Sequence, residues 1–450
     1  MIPDSPIFLY YFLPLVLAVF YLSPAGARCG VLLAASAVYF FLADAAGLPV
    51  LAAAILGNFA LGRMIGGSQG NVRRRWTAGG VAANLGLLAW YKYGGGASPL
   101  GISFFTFGSI AYIVDVSRGE LAAEGSLTRF ATAMALFPKI TAGPIARFGP
   151  LLPELARPRP GLDDVREGAW RVTVGLAKKT LVAGALAPVA DAAFGRTDGL
   201  DMATAWLGLV CYTAQIYYDF SGYTDMAVGL GRLFGLRLPE NFDHPYVSRS
   251  VREFWRRWHI SLSTWFRDYL YIPLGGGRCA PWRVQANLLI VFALCGVWHG
   301  ATLNFLVWGL WHGVFLSLER TRLGRWLDAG PAALRHAYLL LAVMLGWVLF
   351  RATDFAVSGR YFAALFSFSV EGFDYTWMTV VTRQRLTVLA VAVVFALPLG
   401  GLWARLCGRF GENGPAVAAG GRLAAMTGLL AASAMAIAAG GYAPFIYARF

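Results

Sequence analysis

The chain has 450 residues, of which 58% are hydrophobic and only 14% charged. A soluble domain carries about 25% charged residues, so this composition excludes an ordinary soluble protein and points to a single integral-membrane domain over 1–450. The formal net charge of +14 would suggest nucleic acid as the partner of a soluble protein, but no basic face here is free of apolar segments, and Lys and Arg in a membrane protein gather in cytoplasmic loops.

A spanning helix needs about 20 mostly apolar residues. Runs of that order lie at Ile7–Leu22, Gly30–Ala43, Leu48–Leu61, Ala78–Tyr91, Leu100–Val114, Thr180–Phe194 and Met202–Tyr218, then at Leu288–Leu318, Tyr338–Phe350, Leu386–Trp403 and Leu423–Ala439. The predicted class is therefore all-α and polytopic, with some helices tilted, broken or re-entrant. The first run follows Asp4 and no basic residue, which is not the pattern of a signal peptide, so it is expected to be the first span. The basic stretch Arg63–Arg75 is predicted to be cytoplasmic, with the N-terminus on the other side. The five cysteines show no CxxC or Cys/His spacing, so neither a disulfide framework nor a metal site is expected.

In Tyr217–Gly231, Asp219 and Asp225 interrupt an apolar stretch. Each needs a partner, and Ser221, Gly222 and Thr224 between them predict a helix break with Asp or Thr capping the next helix. The segment Arg249–Arg283 holds seven arginines and two acids. Trp255, Trp258, His259, Leu262, Trp265, Phe266 and Tyr269 recur at steps of three and four, which predicts one amphipathic helix with an aromatic and a basic face. Such a helix can lie on the inner leaflet, and its basic side can also attract an anionic substrate. Arg256, Arg257, Trp255 and Trp258 are the residues expected to bind that substrate. Gly275–Gly277 is read as a tight turn.

Leu288–Leu318 has 31 residues and no Lys, Arg, Asp or Glu. One helix of that length would run about 46 Å, too long for a hydrocarbon core of about 30 Å. A bend or break is predicted near Gly300–Asn304, just after His299. An ionisable group inside such a run is either a core histidine bonded to a backbone carbonyl or a functional group. Imidazole can take and give a proton near neutral pH. His312, thirteen residues on, would sit about 220° from His299 on an unbroken helix and is read as structural.

The strings PLGISFFTFGSIAYIVDVSRG, LFPKITAGPIARF, YYDFSGYTDMAVGLGRLFGLRLPENFDHPYVSRSVREFWRRWHISLSTWFRDYLYIPLGG and GVWHGATLNFLVWGLWHG occur in this order. Together they resemble the bacterial branch of the membrane-bound O-acyltransferase (MBOAT) family, and within it the alginate O-acetylation type. The D-alanyl teichoic-acid transferases are more distant. The likeness is densest over 99–313. It implies a ring of tilted helices around a funnel. It implies His299 as the reaction-centre histidine and His259 as a second one. The implied donor is acetyl-CoA, used as a substrate with no permanently bound cofactor. The implied destination is a polysaccharide outside a bacterial inner membrane, reached through a periplasmic SGNH-type acetyltransferase. A D-alanyl donor and a polysaccharide or lipid transporter are the alternatives. No internal repeat favours the transporter.

The run APFIYARF, Ala443–Phe450, is too apolar to rest in water. It reads either as an aromatic anchor at the interface or, from short F-x-Y-x-x-F endings in systems of this family, as an acyl relay through Tyr447. A phenol can act as nucleophile if a base such as His299 takes its proton.

Overall fold

The computed structural model describes residues 3–196, 199–369 and 375–440, and the predicted apolar runs lie in helices, with Leu288–Leu318 and Leu386–Trp403 each divided between two. Among the described residues five helices are long and apolar enough to cross a membrane. The pair Arg383–Phe395 and Gly400–Gly408, bent by 79°, is a candidate sixth span. The chain divides into two compact units.

The first unit comprises Met1–Val172 and Tyr223–Glu240. It holds α1 (Phe8–Leu22), α2 (Arg28–Asp44), α3 (Leu48–Gly66), α4 (Gly70–Tyr93), α5 (Ile102–Arg118) and α6 (Leu127–Ala135). Buried amides join α3 to α4: Asn84 Nδ2 donates to Asn58 Oδ1 at 2.7 Å, and Asn58 Nδ2 returns a bond to Asn84 Oδ1 at 3.2 Å. In lipid a polar pair of this kind ties helices that hydrophobicity alone would not hold. Gly62 on α3 leaves room for Tyr112 of α5, since a Cβ there would lie 2.5 Å from the phenol oxygen. The Tyr112 ring then packs on Phe130 and Phe148, with centroids 4.8 and 5.1 Å away.

Two long helices take part in both units: α7 (Leu162–Gly195, 34 residues) and α8 (Met202–Leu233, 32 residues). The predicted break in α8 does not occur. Ser221, Gly222 and Thr224 lie in unbroken helix, because small residues there serve packing. A Cβ on Gly222 would meet the Gly175 carbonyl oxygen at 2.7 Å, and one on Gly229 would meet that of Gly168 at 2.7 Å. The aspartates do have the partners the bilayer demands. Lys179 Nζ donates to Asp219 Oδ1 at 2.6 Å with both side chains 2% exposed. Arg171 binds Asp225 at 2.6 Å and Glu240 at 2.6 Å. Lys179 lies where α7 widens into a π-helical turn, Lys178–Ala183.

The second unit, Thr173–Gly222 and Asn241–Arg449, carries α9 (Val251–Arg257), α10 (Ile260–Phe266), α11 (Pro281–His299), α12 (Leu303–Leu318) and α13 (Ala332–Arg351). The single amphipathic helix predicted for Arg249–Arg283 is instead two short helices, a π-helical turn at Arg267–Tyr271 and a glycine turn. Gly275 and Gly276 have φ of 109° and 56°, which supplies the expected tight turn.

The predicted break in Leu288–Leu318 is present, and it is a reversal. Gly296 abuts Phe305, Gly309 abuts Phe292 and Gly313 abuts Leu289. Each step forward on α12 is matched by a step back on α11, so the two form a tight antiparallel hairpin. A Cβ on Gly309 would lie 2.1 Å from the Phe292 carbonyl oxygen. Only glycine permits that approach.

Candidate active site

His299 is the last residue of α11, at the tip of the hairpin, and is 3% exposed. The backbone leaves the helix at Gly300, where a Cβ would strike the Phe305 ring at 2.4 Å. The imidazole is walled by the edges of Trp298, Trp308 and Phe350, with centroids 4.7, 5.0 and 5.2 Å away, and Phe305 stacks at 6.3 Å. Such walls keep water from the imidazole.

His312 is closer to this centre than its sequence separation suggested. The angle of about 220° assumed an unbroken helix. Because the chain reverses, Trp308 touches both imidazoles, with His312 5.3 Å from it. The WHG and WHG strings at residues 298–300 and 311–313 were the available signal.

His259 stands at the kink between α9 and α10 with φ of 43° and ψ of 56°. Asn241 enforces this left-handed conformation. Its carbonyl accepts the Ile260 N–H at 3.0 Å, and its side-chain oxygen accepts the Ser261 N–H at 3.1 Å. The Asp243 N–H in turn bonds the Arg257 carbonyl at 3.0 Å. His259 is buried with its ring edge-on to Phe220 at 4.7 Å, a different neighbourhood from the rings that wall His299.

Their positions around the end of α9 sort the four expected binding residues into two pairs. Trp255 and Arg256, with Arg252 and Arg267, line a cavity of about 440 Å³ that also touches Tyr271 and Cys295. Arg257 faces away and pairs with Asp243 at 2.8 Å and Glu253 at 3.1 Å. Trp258 is buried against Phe242, Phe254 and Trp347, with centroids 5.0, 5.4 and 5.0 Å away. Arg252 and Arg267, missed as binding residues by sequence periodicity, take their places at the cavity. Among the described residues nothing pairs with the Arg256 guanidinium. Glu319, just past α12, anchors this wall by accepting the Val251 and Arg252 N–H groups at 2.5 and 3.0 Å. Burial pushes its carboxyl above the ordinary value, against the pull of those two N–H groups. Tyr447 and the rest of the APFIYARF run lie outside the described residues.

A cavity of this size suits a small-molecule substrate, and its arginines suit an anionic one. Residues 117–379 match the MBOAT, membrane-bound O-acyltransferase family. The chain belongs to this family. It is 41% identical to the probable alginate O-acetylase AlgI of Azotobacter vinelandii, over 88% of this chain and 83% of that protein. Its identity to the probable alginate O-acetylase AlgI of Pseudomonas aeruginosa is 39%, over 88% and 79%. It is 32% identical to the peptidoglycan O-acetyltransferase of Helicobacter pylori, over 78% and 77%. As a membrane-bound O-acyltransferase, the protein is a multi-pass membrane enzyme that transfers acyl groups to oxygen.

Proposed function

We propose that the enzyme takes acetyl from acetyl-CoA on the cytoplasmic side of a bacterial inner membrane and passes it across for O-acetylation of an extracytoplasmic polysaccharide such as alginate. The observation that carries this reading is the cavity wall. Arg252 and Arg256 offer positive charge to the phosphates of a CoA thioester, Arg267 beside them is paired with Asp268 at 2.6 Å, and Trp255 in the same wall begins the run of rings that reaches His299. His299 is the base that takes the proton of the attacking hydroxyl. His259 is the second imidazole of the reaction path. A periplasmic SGNH-type acetyltransferase receives the acetyl group before the polymer does.

Membranes containing the protein are expected to transfer label from [14C]acetyl-CoA. Transfer from a D-alanyl carrier protein with none from acetyl-CoA would overturn the reading. Arg256→Ala should raise KM for acetyl-CoA about tenfold with a smaller change in kcat, the size expected for one charge-assisted bond of about 1.5 kcal/mol. Arg257→Ala, which breaks ion pairs and faces away from the cavity, should leave that KM unchanged.

Tyr447 is the acyl relay of this reading. Tyr447→Phe keeps the ring and removes the nucleophile, so it should abolish polymer acetylation at normal protein levels, and the wild-type C-terminal peptide should carry acetyl by mass spectrometry. Full acetylation by Tyr447→Phe leaves the run as an interfacial anchor.

A further inference from the structure

Behind Trp255 lies a group of rings that the cavity alone does not explain. Trp255, Trp308 and His312 form a triangle with centroid separations of 5.1, 5.3 and 5.9 Å. They are 8%, 1% and 0% exposed. The indole nitrogens of both tryptophans and both ring nitrogens of His312 are buried, and none has a hydrogen-bond partner among the described residues. Buried polar groups are normally matched, and phenylalanine would fill these positions without unmatched donors. On the far side Gly346 lets the α13 backbone close against the imidazole, since a Cβ there would lie 3.0 Å from His312 Nε2. One edge of the triangle meets the arginine-lined cavity through Trp255 and Phe292. The other meets His299 through Trp308.

We propose that Trp255, Trp308 and His312 form the carbonyl pocket of the acyl transfer, donating N–H groups to the thioester oxygen. This rests on the acetyl-thioester reading of the cavity. The acceptor oxygen attacks the carbonyl carbon while its proton passes to His299, and the carbonyl electron pair moves onto oxygen, where the N–H groups hold the negative charge. When the C=O bond re-forms, the C–S bond breaks, and the sulfur leaves with its electron pair and takes the proton from His299. The two indoles donate from Nε1, and His312 donates from the nitrogen that carries the hydrogen in its neutral tautomer. The donors are fixed by packing before the charge develops, which is what makes such a site effective.

The test uses the full-length protein in detergent or nanodiscs, with His312→Phe and Trp308→Phe. Each variant should lower kcat for acetyl transfer about a hundredfold, the usual effect of losing one oxyanion donor, with a much smaller rise in KM for acetyl-CoA. Two unreactive probes isolate the oxygen. A ketone analogue of acetyl-CoA, with methylene in place of sulfur, should bind the variants more weakly than wild type. S-ethyl-CoA, which has no carbonyl oxygen, should bind all of them equally. Thermal unfolding identifies any variant that fails to fold, and Trp255→Phe then takes its place. Wild-type kcat in a folded variant, or equal weakening of both probes, overturns the carbonyl pocket. Wild-type protein that binds neither probe overturns the acetyl-CoA reading and the pocket together.

Discussion

Cells carrying His299→Ala are expected to export polymer without acetyl groups while the protein itself inserts at normal levels. The ring at the tip of the α11–α12 hairpin is the proposed general base, and general-base catalysis contributes about 10²–10⁴-fold. The hairpin does not depend on the imidazole. It is held by the close approaches of Gly296, Gly309 and Gly313 to the facing helix, so truncating one ring at the turn leaves its contacts in place. His299→Gln is the sharper variant, since it keeps a side chain of similar length and hydrogen-bonding ability but offers no base. Acetylation above about a tenth of wild type, against the 10²–10⁴-fold expected, in either well-expressed strain would remove His299 from the chemistry.

Lys179→Met should be the most destabilising single change in the second unit, by about 3–5 kcal/mol. The Lys179–Asp219 pair is 2.6 Å long with both side chains 2% exposed. Gly222 brings α8 so close to α7 that its Cβ would lie 3.1 Å from the Lys179 backbone nitrogen. Little room remains for water, and removing the lysine leaves the Asp219 carboxylate buried without its ion-pair partner. Replacing both, as in Lys179→Met with Asp219→Leu, removes the charge along with its partner and should recover most of the loss. Thermal unfolding in detergent measures the cycle. If the single and double variants melt together, the pair is not what holds these helices.

The apolar runs were legible in the sequence because length and hydropathy alone decide whether a segment suits the bilayer. The break after His299 was legible for the same reason, since 31 uncharged residues exceed one span. The direction of the chain after the break was not. Reversal depends on glycines in α11 and α12 meeting backbone on the facing helix, and that register appears only once the two helices are paired. The kink at His259 was hidden for a similar reason. Its left-handed backbone is held by Asn241, eighteen residues earlier, while the periodicity of the arginine-rich segment continues through it. Arg257 follows Arg256 by about 100° around α9, and Trp258 is the residue at which that helix ends, so both face elsewhere than Trp255 and Arg256. In α8 the residues that usually break a helix were recruited as small contact surfaces. The need for charge partners at Asp219 and Asp225 followed from the cost of burial, but their identity lay on α7, outside any local pattern.

The hairpin also bears on how the chain enters the membrane. Arg278 precedes α11 and Arg283 lies in its first turn, and Arg320, Arg322 and Arg325 follow α12. Retention of both basic ends on one side makes the two helices a hairpin with no net crossing. The downstream chain then keeps the sidedness it had before Pro281. The contact face of α11 is completed only when α12 has emerged and packed on it, with His299 at the turn between them. Insertions between His299 and Leu303 would therefore disturb biogenesis as well as catalysis.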